Sequence, residues 1–153
     1  MSFDIEEGAR IEIADALSVL LADSYTLYLK TQNYHWNVTG PMFPALHAMF
    51  ETEYLELRDA VDVIAERIRA LGRPAPASYK AFGELTSIEE AEKIPEALDM
   101  VRDLAAGHET VARTARAVVD RAEPAGDIAT VDLATGRVEI HEKTAWMLRT
   151  TGG

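Results

Sequence analysis

One run of apolar residues constrains this chain more than anything else in it. From Phe43 onward, hydrophobic side chains recur at Leu46, Phe50, Tyr54, Leu57, Val61, Ile64, Ile68 and Leu71, always three or four positions apart. That spacing predicts one amphipathic helix over nearly the whole interval. A similar pattern, through Ile13, Leu17, Leu20, Leu21, Leu27 and Tyr28, predicts an earlier helix from Ile11 to roughly Tyr34. Gly40 supplies a turn between the two and Pro41 closes the linker. Gly72, Pro74 and Pro76 end the second helix and open a long connection. Within it, Ser87-Ile88-Glu89-Glu90 reads as a capping box and predicts a short helix. Pro95 suits the first turn of a third long helix reaching about Glu123, where Pro124 and Gly126 stop it. A fourth is expected from about Asp127 to Arg149, weakened at Gly136. No strand alternation, repeat or low-complexity tract appears. The expected fold is all-α: a four-helix bundle with a small extra helix in the connection between helices two and three. A connection of that length can cross the bundle and leave helices two and three parallel, as in a ferritin-like bundle.

At 153 residues the chain suits one domain, residues 1–153, with a substantial core. No stretch approaches the ~18 consecutive apolar residues of a membrane span, and MSFDIEEGAR lacks the basic and apolar regions of a secretory leader. There is no cysteine, which removes disulfides, thiolate metal sites and cysteine nucleophiles. A cytoplasmic protein is the expectation. Basic residues number 15 against 26 acidic ones, a net charge of −11. Only four lysines occur, scattered at Lys30, Lys80, Lys93 and Lys143, so nucleic acid and anionic membrane should be repelled. Cations are the more natural partners.

Two of the four histidines stand out: His35 at the end of the first helix and His47 near the start of the second. On an ideal helix, Glu51, Asp62 and Glu66 fall about 40°, 60° and 100° around from His47, on one flank away from the apolar stripe. Imidazole with carboxylate and no thiolate suits iron, manganese or zinc. Acids on a polar helix flank are ordinarily just solvated, however, and a lone histidine is more often structural than a ligand. His108 and His141 have only the structural reading. His47 and Asp62 would lie about 22 Å apart along one helix, too far to share an ion. A two-fold axis crossing the helix near residues 55–57 would bring His47 of one subunit to Asp62 and Glu66 of another. If these residues form a metal site, it is built between subunits. The in-bundle di-iron signature, Glu-x-x-His, occurs nowhere, and neither Gly-x-Ser-x-Gly nor a phosphate-cradling loop is present.

The run His35-Trp36-Asn37-Val38-Thr39-Gly40-Pro41-Met42-Phe43, followed by Leu46-His47, Phe50-Glu51, Asp62 and Ala65-Glu66-Arg67-Ile68, resembles the Dps family, the mini-ferritins. Asp127, Thr130-Val131-Asp132-Leu133 and His141-Glu142-Lys143-Thr144-Ala145-Trp146 resemble it near the C-terminus, so the likeness spans the chain. The resemblance implies a hollow dodecamer of ferritin-like four-helix subunits. Such a shell oxidises Fe(II), preferably with hydrogen peroxide, or with dioxygen, and mineralises Fe(III) inside, protecting against oxidative damage. It further implies a two-iron ferroxidase site at the two-fold interface. His35 and His47 would come from one subunit, Asp62 and Glu66 from its partner, and Glu51 would be a ligand to the second iron. Glu51 stands at a position that is usually an acid; if aspartate is usual there, the extra methylene leaves its contact open. Trp36 would intercept radicals or simply plug the interface. Asp127 and Asp132 would line three-fold iron-entry pores, or else cap a helix start. Zinc shares these ligand preferences and would be a silent substitute.

DNA is where the likeness is weakest. Family members that bind DNA directly commonly use lysine-rich tails, whereas here Asp4, Glu6 and Glu7 face Arg10 alone and the chain ends Thr150-Thr151-Gly152-Gly153. Twelve copies at −11 would carry −132. The alternative reading, a nucleoid-binding protective protein with little ferroxidase activity, is disfavoured on that ground.

Overall fold

The computed structural model describes residues 4–152; Met1–Phe3 and Gly153, the extremities of the termini read above for a leader and for charge, lie outside the described residues. Five helices follow in order: α1 (Glu7–Asn37), α2 (Phe43–Ala70), α3 (Tyr79–Leu85), α4 (Ala97–Ala122) and α5 (Ile128–Gly152). No strand occurs among the described residues. The apolar stripe of α2 begins at the residue the sequence indicated, and its members Leu46, Phe50, Leu57, Ile64 and Ile68 are buried. They face Ile13, Leu17, Leu20, Leu27 and Tyr34 of α1 and, across the bundle, Met100, Leu104, Val111 and Val118 of α4. Gly72 and Gly126 each end a long helix in the left-handed region, at φ 90° and 76°. The following residue then reaches back five positions, Arg73 N–H to Ile68 O at 3.3 Å and Asp127 N–H to Ala122 O at 3.1 Å. Only glycine takes that conformation without steric cost.

Long-range bonds fix the topology. Arg10 at the start of α1 donates to Leu71 O at the end of α2, while Tyr34 and Lys30 near the end of α1 meet Asp103 near the start of α4. Helix α1 is therefore antiparallel to both neighbours, which leaves α2 and α4 parallel, as expected from the long connection. Arg67 of α2 meets Asp127 and Thr130 at the α5 start, and Arg116 and Arg149 pair with Glu142 and Glu109 along α4 and α5. This is a ferritin-like four-helix bundle.

The extra helix lies earlier than Ser87-Ile88-Glu89-Glu90 suggested. Residues 86–96 are not helical. Ser78 caps α3 instead, its Oγ accepting from Ala81 N–H at 3.1 Å. Ser87 spends its backbone N–H on Asp23 Oδ1 at 2.6 Å, and Thr86 Oγ1 donates to the same oxygen at 2.7 Å. The fully buried Asp23 also accepts from Thr114 Oγ1 at 2.6 Å, so one carboxylate ties the crossing segment to α1 and α4. Pro95, expected in the first turn of α4, precedes it by two residues, with Glu96 as the N-cap. Helix α5 passes through Gly136 unbroken.

Candidate metal centre

His35 and His47 sit on either side of the α1–α2 elbow, twelve residues apart, and each locks the other. The His35 Nδ1–H donates to His47 O at 2.7 Å, and the His47 Nδ1–H donates to His35 O at 2.7 Å. A carbonyl only accepts, so both Nδ1 atoms carry protons and both Nε2 lone pairs are left for another partner. This is how a ligating imidazole is ordinarily held, through the nitrogen that does not face the metal. The two rings stack at 3.8 Å, Phe43 lies against His47 at 4.9 Å, and Tyr54 meets His35 edge-on at 5.2 Å. His35 is buried, and its Nε2 stands 3.7 Å from Glu51 Oε1. That gap is too long for a hydrogen bond, yet ligand bonds of ~2.1 Å to a shared ion would bridge it.

Asp62 and Glu66 are exposed on the same helix. Helix α2 runs unbroken past them, so the rise of about 22 Å between His47 and Asp62 stands. One chain gathers His35, His47 and Glu51 and leaves the other two acids apart. Among the described residues, no group of three or more His, Asp or Glu within one chain is placed to hold a metal ion. Trp36, beside the first histidine, is 62% exposed.

The two acids read as pore residues part company. Asp127 is 1% exposed. Its Oδ1 accepts from Thr130 N–H at 3.1 Å and from Arg67 Nη2 at 2.7 Å, and its Oδ2 accepts from Thr130 Oγ1 at 2.5 Å. It is the N-cap of α5, the helix-start alternative, with both oxygens engaged. Asp132, one turn on, is exposed.

His108 and His141 do more than fill space. Glu56 takes two bonds from Arg137, at 2.6 and 2.8 Å, and Arg137 Nη2 donates to His141 Nε2 at 3.0 Å. Arginine only donates, so neutral His141 carries its proton on Nδ1 and gives it to His108 Nδ1 at 2.9 Å. His108 is then protonated at Nε2, which has no hydrogen-bond partner in the protein. Burial, reinforced by the Arg137 charge, pulls His108 down to about 3; burial, then His108 and Arg137, hold His141 well below its ordinary value. On α2, buried Glu53 is pushed up to about 8 by burial and is neutral near pH 7. The cue in the sequence was slight: Glu53, three after Phe50 and four before Leu57, and Arg137 and His141, four apart, have helical spacing that permits core-facing positions, and all three are buried.

A ferritin-like domain model matches residues 14–152. An uncharacterised low temperature-induced protein of a Nostoc species is 40% identical, over 97% of this chain and 84% of its own. DNA protection during starvation protein 2 of Bacillus anthracis is 36% identical, over 90% of this chain and 94% of its own. Among solved structures, a Dps protein of Vibrio cholerae O1, described as a member of a broad superfamily of ferritin-like diiron-carboxylate proteins, superposes with a TM-score of 0.92. It is 29% identical, covering 95% of this chain and 92% of that one.

Proposed function

Because the chain belongs to the Dps family of ferritin-like proteins, we propose that it is a ferroxidase subunit of a hollow homo-dodecamer that oxidises Fe(II) with hydrogen peroxide and stores the ferric product. The observation that carries this is the reciprocal histidine pair. Both imidazoles are committed through Nδ1 to backbone carbonyls, which leaves both Nε2 lone pairs available as ligands, that of His35 3.7 Å from Glu51 Oε1. Neutral imidazole with hard carboxylate binds both oxidation states of iron. The ligand set of one chain is half a site; Asp62 and Glu66 of a two-fold-related chain would complete it. Two ferrous ions there would give two electrons to one peroxide, forming water and no hydroxyl radical. The carboxylates stabilise the ferric charge, and exposed Asp132 would draw cations towards the shell. Trp36, close to the site, is available to intercept stray radicals. Zinc would fit the same ligands without redox chemistry. The net charge of −11 argues against direct DNA binding. Among the described residues no helix is long and apolar enough to cross a membrane.

The test is complementation between chains. A variant with His35→Ala and His47→Ala, and another with Asp62→Ala and Glu66→Ala, should each lose most ferroxidase activity. Co-refolded at equal amounts with random mixing, half of the dimers are mixed and one of their two sites is intact, so roughly a quarter of wild-type activity should return. Confirmed mixing by mass spectrometry with no recovered activity would refute the shared site.

A further inference from the structure

A continuous run of aromatic rings leads away from the histidine pair into the subunit. His35 meets Tyr54 at 5.2 Å and 68°, Tyr54 meets Tyr28 at 6.0 Å and 65°, and Tyr28 meets Tyr25 at 5.6 Å and 70°. Tyr25 stacks on Phe82 at 5.0 Å, where the run ends in a ring without a hydroxyl. Each separation is that of rings in direct contact. Three of the five tyrosines in the chain thus form one path, whose far member lines a surface cavity of about 480 Å³. Packing alone accounts for none of the three hydroxyls. All three residues are half-buried. Tyr34 and Tyr79 lie off the path. Tyr34 gives its proton to Asp103 at 2.6 Å, and Tyr79 is 77% exposed on α3.

We propose that Tyr54, backed by Tyr28 and Tyr25, supplies the second electron to peroxide when only one ferrous ion is at the site. The inference rests on the ferroxidase reading above and deepens it. Hydrogen peroxide needs two electrons for clean reduction to water. With one ferrous ion present, iron gives one electron and Tyr54 gives an electron and its phenolic proton. One Fe(II), one peroxide, one tyrosine and one further proton then yield Fe(III), two waters and a tyrosyl radical. Tyr28, and then Tyr25, refill Tyr54 with an electron and a proton, moving the oxidising equivalent away from the iron. A second ferrous ion, with a proton from water, reduces the radical back to tyrosine and becomes Fe(III). The overall stoichiometry is two ferrous ions per peroxide, and no hydroxyl radical is released in the interval. Tyr54 is the relay's contact with the ligand set; Tyr28 and Tyr25 are its reservoir.

The experiment uses the assembled protein, loaded without oxygen with one ferrous ion for every two sites, then mixed with hydrogen peroxide and freeze-quenched for electron paramagnetic resonance. The wild type should show a protein radical whose hyperfine structure narrows with ring-deuterated tyrosine and which disappears after a second ferrous pulse. Tyr54→Phe should lose that signal. Tyr28→Phe and Tyr25→Phe should keep it with an altered pattern, the radical confined to fewer rings, and Tyr79→Phe should leave it as it is. Iron oxidised without a tyrosyl radical, an undiminished radical in Tyr54→Phe, or its loss in Trp36→Phe would each overturn the relay while leaving the ferroxidase reading in place. No iron oxidation in the wild type would overturn both.

Discussion

Acid should weaken this bundle through its buried histidines, and His108 gives the size of the effect. In the unfolded chain its imidazole titrates at the ordinary value of 6.5; in the fold, burial and the Arg137 charge pull it down to about 3. The folded state therefore binds fewer protons than the unfolded one between those values, and stability falls as pH falls through that window. Each pH unit below 6.5 costs about 1.4 kcal/mol for one such group, or about 2.7 kcal/mol at pH ~4.5. His141, also lowered and hydrogen-bonded to His108, acts in the same direction. The perturbation is His108→Gln, whose amide oxygen can accept from His141 Nδ1–H and which does not titrate. Urea unfolding followed by helical circular dichroism, at about pH 7.5 and about pH 4.5, compares the two proteins. Near pH 7.5 they should differ by ~1 kcal/mol or less, the ordinary worth of one neutral hydrogen bond. Near pH 4.5 the wild type should have lost ~2–3 kcal/mol more than the variant. Carboxylates shared by both proteins cancel in that difference. Parallel losses in the two would refute the neutral, proton-refusing state assigned to His108.

Asp127 and Asp132 should separate stability from iron traffic. Asp127→Ala removes a cap and the buried carboxylate that pairs with Arg67, for a loss of roughly 3–5 kcal/mol in thermal or urea unfolding. Asp132→Asn should change stability by less than ~0.5 kcal/mol while slowing iron uptake in a low-iron mineralisation assay; unchanged uptake would leave it a plain surface acid. The helical glycines offer opposite signs. A Cβ at Gly107 would stand 2.8 Å from Leu27 Cδ1 in the closed core, so Gly107→Ala should cost ~1–2 kcal/mol despite better helix propensity. Gly136 has nothing within 4 Å of its would-be Cβ, and Gly136→Ala should gain up to ~1 kcal/mol, read as a higher Tm.

What the sequence made legible followed from how regular the physics was. The α2 stripe named its own start at Phe43, because period and turn signals agreed there. Ser87-Ile88-Glu89-Glu90 misled, because a capping box is a local preference and the buried Asp23, 64 positions away, outbid it for the Ser87 N–H. Ser78, the true cap, has no glutamate three positions on to advertise it. The residues of the proposed metal centre were readable as types and spacings, and the distance along α2 showed that one chain could not bring all of them to one ion. The reciprocal Nδ1 bonds were not readable, since they depend on the path of a five-residue turn. The Glu56–Arg137–His141–His108 chain stayed hidden for a different reason. Polar residues at core positions look like exposed ones until three helices are seen to pair them with one another.

The mutual grip of His35 and His47 also dictates where this fold can absorb new sequence. Surface loops ordinarily tolerate insertions at small cost. The segment from Val38 to Met42 should not. One added residue would turn the α2 register by about 100° and advance it by ~1.5 Å relative to the apolar stripe, or else carry His47 out of reach of the His35 carbonyl. A graft there would disarm the proposed metal-binding half of every subunit while leaving a stable helical protein.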